Sequence, residues 1–113
     1  MGISSEAYAT QVPKMFARLR EGLEPMKTSN DGFAIDIDGE ESMSVTIGSP
    51  GAYQFTSDAK KKELQMFSPI SANVYYYNYD ESKQEWVNVN DGHYLVELLT
   101  RELLTSCSGL PEF

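Results

Sequence analysis

The chain of 113 residues is 41% hydrophobic and 23% charged, the composition of one globular domain with one core. Seventeen acids against nine bases give a net charge of −8, which argues against DNA or RNA as a partner, because a nucleic-acid binder needs a basic face to release counterions. A single cysteine, Cys107, excludes an internal disulfide framework, a single histidine, His93, argues against a His-rich zinc centre, and no apolar run approaches a membrane span.

The spacing predicts a first helix over 5–26. Tyr8, Val12, Met15, Phe16, Leu19 and Leu23 fall on one stripe of a 3.6-residue period. Ser4 or Ser5 can cap it. Pro13 either kinks this helix or stands at its first regular position, and Gly22 and Pro25 mark its end. Met1–Tyr8 has neither an apolar leader core nor an Arg-rich amphipathic pattern, so no leader is expected in these residues.

From Phe33 the period becomes two. Phe33, Ile35 and Ile37 share one strand face, and Ala34, Asp36 and Asp38 the other. Met43, Val45 and Ile47 alternate with Ser44 and Thr46 in a second strand. Tyr53 and Phe55 suggest a third, Leu64 and Met66 a fourth, Val74 to Tyr79 a fifth, and Trp86 to Val89 a sixth. Asn90-Asp91-Gly92 reads as a turn opening a second helix, whose stripe is Leu95, Leu98, Leu99 and Leu103. Residues 107–113 read as a frayed tail.

The expected fold is therefore α+β: helix over 5–26, an antiparallel sheet of about six strands over 33–89, and helix over 92–106. The whole of 1–113 is read as one domain. Both helices cover one sheet face, in a two-layer sandwich, and leave the other face open. Trp86, Leu95, Leu98, Leu99 and Leu103 are assigned to the core.

The residues offer no catalytic constellation. His93 reads as a surface or capping side chain, and Cys107 has no partner cysteine. The chemistry on offer is carboxylate-based. Residues 31–58 hold six acids and no base. Asp36 and Asp38 point the same way, about 6.6 Å apart along one strand. Glu40 and Glu41 follow in the turn, Asp31 precedes, and Glu21 and Glu24 close the first helix. Hard cations favour such oxygen ligands, and without His or Cys any site here would be open and water-rich. A solvated strand face is the alternative reading. The tyrosines at 75, 76, 77 and 79 alternate between core and open face.

The C-terminal half resembles the frataxin family. The residues that carry this are Trp86-Val87, Asp91-Gly92, Leu95-Val96-Glu97-Leu98-Leu99 and Arg101-Glu102-Leu103, with Ser68-Pro69-Ile70-Ser71 leading into a Tyr-rich strand. The Ser-Pro-x-Ser loop is similar to that of the eukaryotic, mitochondrial members. The resemblance implies weak binding of iron, Fe(II) or Fe(III), through surface carboxylates on the first helix and first strand edge. It implies a monomer that acts as iron chaperone or regulator in iron–sulfur cluster assembly. Its open sheet face would dock on a complex of cysteine desulfurase and iron–sulfur scaffold, in the mitochondrial matrix. A ferroxidase activity is ascribed to some members; this sequence holds no redox ligand set for it. A docking module that has lost iron binding is the other alternative.

Departures from the family pattern shift these expectations. The first helix carries Gln11, Lys14, Arg18 and Arg20, with acids only at Glu6, Glu21 and Glu24. The iron-contact residues expected here are thus Glu21, Glu24, Asp31, Asp36 and Asp38, with Glu40 and Glu41 outside them. On the open face Gln65 stands where the family usually has Trp, and Tyr75 where it has Arg. Gln65, Asn73, Tyr75 and Tyr77 are the expected partner contacts.

Overall fold

A computed structural model of the chain describes residues 3–39 and 41–113. In chain order the elements are α1 (Ser5–Leu23), α2 (Met26–Ser29), β1 (Phe33–Asp38), β2 (Ser42–Ile47), β3 (Ala52–Asp58), β4 (Glu63–Ser68), β5 (Asn73–Asp80), β6 (Glu85–Asn88) and α3 (Leu95–Ser106). The six strands form one antiparallel sheet in sequence order, so β1 and β6 are its edges. The apolar stripes of α1 and α3 and one sheet face close on a single core.

Helix α1 begins where Ser4 Oγ accepts the Ala7 N–H at 3.1 Å. It runs unbroken through Pro13, whose ring sits at an exposed position. It ends three residues earlier than the periodicity predicts. Pro25 has no N–H to continue the ladder, and the chain restarts as the single turn α2. Along β2 and β4 the side chains alternate cleanly between core and solvent, as the two-residue period requires.

Three consecutive hairpins share one turn design. Loops 59–62, 69–72 and 81–84 each end in a left-handed residue: Lys62 at φ 54°, Ala72 at 56° and Gln84 at 54°. Each is preceded by a side chain that accepts backbone N–H groups inside the loop. Asp58 Oδ1 takes that of Lys61, Ser68 Oγ those of Ile70 and Ser71, and Asp80 Oδ1 those of Ser82 and Lys83.

Two further boundaries differ from the sequence reading. The second helix starts at Leu95, not 92, because Asn88 closes a loop first. Its Oδ1 accepts the N–H groups of Asn90 and Asp91, and its own N–H donates to the His93 carbonyl at 2.8 Å. Residues 93 and 94 then run beside β6, with Val87 bridged to Tyr94. The expected frayed tail is instead docked. Asn30 exchanges two 2.8 Å hydrogen bonds with the Ser108 backbone, Glu112 N–H donates to the Gly22 carbonyl at 2.8 Å, and Phe113 packs against the core.

Candidate functional site

The carboxylates separate into two groups. Asp36 and Asp38 stand exposed on the open face of the edge strand β1, opposite Ser44 and Ser42 of β2. Strand alternation puts them there, because Phe33 and Ile35 on the other side enter the core. Glu41 lies exposed in the β1–β2 turn, and Glu40 lies outside the described residues. Glu21 and Glu24 belong to the helix layer and are exposed. Glu24 already pairs with Lys27 at 3.0 Å. Asp31 is exposed in the turn leading into β1.

Among the described residues, no three His, Cys, Asp or Glu side chains converge to hold a metal ion. The donors are carboxylate oxygens on an open surface, the chemistry of a hydrated hard cation and not of a closed site. Arg20 lines a groove with Pro13, Phe16, Ala17, Ile37 and Gly39. A fixed positive charge from α1 therefore stands beside the end of the acidic strand, where it opposes cation binding.

The open face is graded. The β1 edge is acidic. Ser42, Ser44, Thr46, Gln54 and Thr56 form a neutral polar centre across β2 and β3. Beyond them Phe67, Val74, Tyr76 and Val89 make an exposed apolar strip on β4, β5 and the segment after β6. Phe67 pairs with Val74, and Gln65 with Tyr76. Val89 N–H donates to the Tyr76 carbonyl at 3.0 Å.

This grading corrects two of the expected partner contacts. Gln65 does face the open side, level with Tyr76. Tyr77 is 0% exposed and stands opposite Leu64, while Tyr75 stands opposite Met66 and is half-buried. Both belong to the helix-covered face. Asn73 is exposed but stands opposite Ser68, at the end of that same face. A strand of four tyrosines has no polarity contrast to mark its inner face, so its register with Leu64 and Met66 decides it. On β5 the exposed aromatic is Tyr76, at 39%.

Two polar clusters lie on the covered side, one buried and one reaching solvent. Glu102 of α3, only 8% exposed, accepts Tyr53 OH at 2.7 Å and Ser68 OH at 2.5 Å. It ties α3 to β3 and to the end of β4. In the second, Tyr77 OH lies 2.7 Å from His93 Nε2, and His93 Nδ1 lies 2.6 Å from Asp91 Oδ1. The sequence reads His93 as a surface or capping side chain, whereas its ring is half-buried against Tyr77. The Asn88 loop, which carries it back over β5, is visible in sequence only as turn-forming residues.

A two-layer α-β sandwich with an acidic sheet edge and one open face defines the class of protein. The match to known families makes it specific: residues 1–109 match the frataxin-like domain, and the chain belongs to that family. It is 25% identical over 97 residues to the mitochondrial frataxin of Dictyostelium discoideum, covering 85% of this chain and 50% of that protein. The chain thus spans about half the length of this curated relative. Its fold is similar to frataxin from Psychromonas ingrahamii, with TM-score 0.80, 9% identity and 97% of each chain covered. It is also similar to the trimeric frataxin of the yeast Saccharomyces cerevisiae complexed with ferrous iron. There the TM-score is 0.64 at 19% identity, covering 96% of this chain and 90% of that one. At these identities the structural likeness speaks for the fold alone.

Proposed function

We propose that this protein handles ferrous iron as a monomeric chaperone or regulator of iron–sulfur cluster assembly. Family membership supports the general role, and the mitochondrial relative supports a mitochondrial setting; the matrix is our own assignment. The observation that carries the iron assignment is the pair Asp36 and Asp38, side by side on the exposed face of an edge strand with neutral serines opposite. Asp31 and Glu41 extend this edge at its two ends, and Glu21 and Glu24 lie behind it. The ion is cargo here, held through its water shell by carboxylates with spare lone pairs. Low affinity suits release to an acceptor.

Anaerobic titration of the isotope-labelled protein with Fe(II), followed by backbone amide signals, tests this reading. Selective paramagnetic broadening at Asp31, Asp36, Asp38 and the end of α1 is expected. Uniform or absent broadening at several equivalents overturns the iron role.

A second reading, docking without iron, is favoured by the apolar strip of Phe67, Val74, Tyr76 and Val89. Exposed apolar residues clustered on one sheet face are the pattern of a protein interface. The partner we assign to it is the complex of cysteine desulfurase and iron–sulfur scaffold. Under this reading wild type binds that complex in the absence of iron, and the double variant F67E/Y76E is expected to lose that binding. Unchanged binding removes this strip from the interface.

A further inference from the structure

Three buried tyrosines hold their hydroxyls inside this fold, and only one has a way to release its proton. Tyr8 donates to the Glu63 carbonyl at 2.8 Å, and a carbonyl is no base. Tyr53 donates to Glu102, a weak base that is itself buried and already accepts Ser68. Tyr77 instead meets an imidazole, 2.7 Å from phenol oxygen to His93 Nε2. His93 Nδ1 in turn lies 2.6 Å from Asp91 Oδ1, and the His93 backbone N–H donates to the same oxygen at 3.1 Å.

The proton positions follow from these contacts. Hydrogen bonds from His93, backbone and ring, hold the Asp91 carboxyl below its ordinary range, so it is ionised at neutral pH. An ionised carboxylate only accepts, so Nδ1 carries the imidazole proton and Nε2 offers its lone pair to the phenol. The Asp91 side chain is 70% exposed. A route therefore runs from a fully buried phenol, through one imidazole, to water.

The same phenol sits in a row of rings. Tyr75, Tyr77 and Tyr79 share one face of β5 at two-residue spacing. Tyr75 and Tyr77 both meet the His93 ring edge-on, with centroids 6.0 and 5.4 Å away. Tyr79 meets Trp86 at 5.4 Å, and Trp86 meets Tyr8 at 6.0 Å. Tyr75 and Tyr79 are half-buried and reach solvent, whereas Tyr77 does not.

We propose that Tyr77 is a redox-active tyrosine, with His93 as its proton acceptor, that absorbs oxidising equivalents from a strong one-electron oxidant such as the hydroxyl radical. The oxidant takes one electron at Tyr75 or Tyr79, and Tyr77 refills that vacancy. As its electron leaves, the Tyr77 proton moves to His93 Nε2, giving a neutral phenoxyl radical and an imidazolium held by Asp91. The hydroxyl radical gains the electron and a proton from solvent and becomes water. A small thiol or ascorbate then returns one electron, the imidazolium returns the proton, and the phenol is restored. Burial disfavours the phenolate, so the proton has to move with the electron and cannot leave beforehand.

The test needs no iron and is therefore independent of the iron assignment. The full chain is mixed with a photo-excited ruthenium tris-bipyridine complex and persulfate, and radical formation is followed by transient absorption and electron paramagnetic resonance. Wild type is expected to give a long-lived tyrosyl radical on the buried ring, whereas Y77F leaves only a short-lived one on the solvent-reaching Tyr75 and Tyr79. H93F, which keeps an aromatic ring but no base, should slow its formation by on the order of 10², the range of a positioned general base. Formation should also be slower in D2O, and slower in D91N. A tyrosyl radical of equal lifetime in Y77F, a radical residing on Trp86, or equal rates in wild type and H93F overturns the proposal. Should H93F fail to fold by circular dichroism, equal rates in H2O and D2O for wild type overturn it equally.

Discussion

Tyr53 on β3 donates its hydroxyl to the carboxylate of Glu102 on α3 across 2.7 Å, with the tyrosine fully buried and the acid nearly so. The Ser68 hydroxyl joins the same oxygen from the end of β4. An acid in this position is held by two donors and holds three elements together. Truncating it leaves two buried hydroxyls without an acceptor. Glu102→Ala is expected to lower unfolding stability by about 2–4 kcal/mol, and Glu102→Gln, which keeps an acceptor but not the charge, by about half as much. Urea unfolding of both variants checks the ordering, and equal losses would mean that packing, not the hydrogen bonds, is what Glu102 supplies.

Alkaline pH should reach the core through its tyrosines. Burial pushes the phenols of Tyr53 and Tyr77 well above their ordinary value, and for Tyr53 the neighbouring Glu102 adds to the effect. A raised folded pKa means that the unfolded chain loses these protons first. Their contribution is therefore complete below the unfolded value of about 10 and is lost as pH climbs above it. The urea midpoint should hold steady between about pH 8 and 9 and fall beyond about pH 10, more steeply in wild type than in Y53F or Y77F.

The acidic edge can be separated from the fold. Asp36 and Asp38 are exposed and bond to no core group. D36K and D38K are expected to change stability by less than about 0.5 kcal/mol. The same changes should weaken Fe(II) binding on the order of tenfold each at low salt, an effect that shrinks as salt screens it. Calorimetric melting alongside the amide titration distinguishes the outcomes. Variants that unfold, or that bind iron as wild type does, remove these two residues from the site.

Gly22 and the docked tail are coupled. A Cβ on Gly22 would come 2.5 Å from Phe113 Cδ1 and 3.1 Å from the Glu112 carbonyl oxygen. In a helix, alanine is favoured over glycine by about 1 kcal/mol. G22A should realise that gain only where the tail is already displaced. In a double-mutant cycle, G22A is expected to be at least about 1 kcal/mol more favourable in the F113A background than in wild type. Additive changes would mean that Phe113 moves aside freely.

The left-handed residues of the hairpins offer a gain. Ala72 sits at φ 56°, exposed, where an L side chain crowds its own backbone. A72G is expected to stabilise by about 0.5–1 kcal/mol, the relief of strain outweighing the greater freedom of the unfolded chain. A lower melting temperature for A72G would show that the unfolded-state entropy dominates.

Much of this molecule is written in local periodicity. The stripe Tyr8, Val12, Met15, Phe16, Leu19 and Leu23 and the alternation through Met43, Val45 and Ile47 each admit one reading, because a mispaired period would expose half of the apolar set. The acidic face of β1 was legible for the same reason, since Phe33 and Ile35 fix where Asp36 and Asp38 must point. Other features depend on residues distant in sequence. Which face of β5 is covered was set by pairing with Leu64 and Met66, which put Tyr76, not Tyr77, in solvent. The docked tail depends on Asn30 and Gly22, about eighty to ninety residues upstream. The joining of Tyr77, His93 and Asp91 depends on Asn88 folding the chain back across its own strand. Sequence determined the elements and the sheet edge that carries charge, since those follow from neighbours along the chain. The tertiary structure alone decided which polar groups meet, because a hydrogen bond needs two side chains within 3 Å and no local pattern encodes that distance.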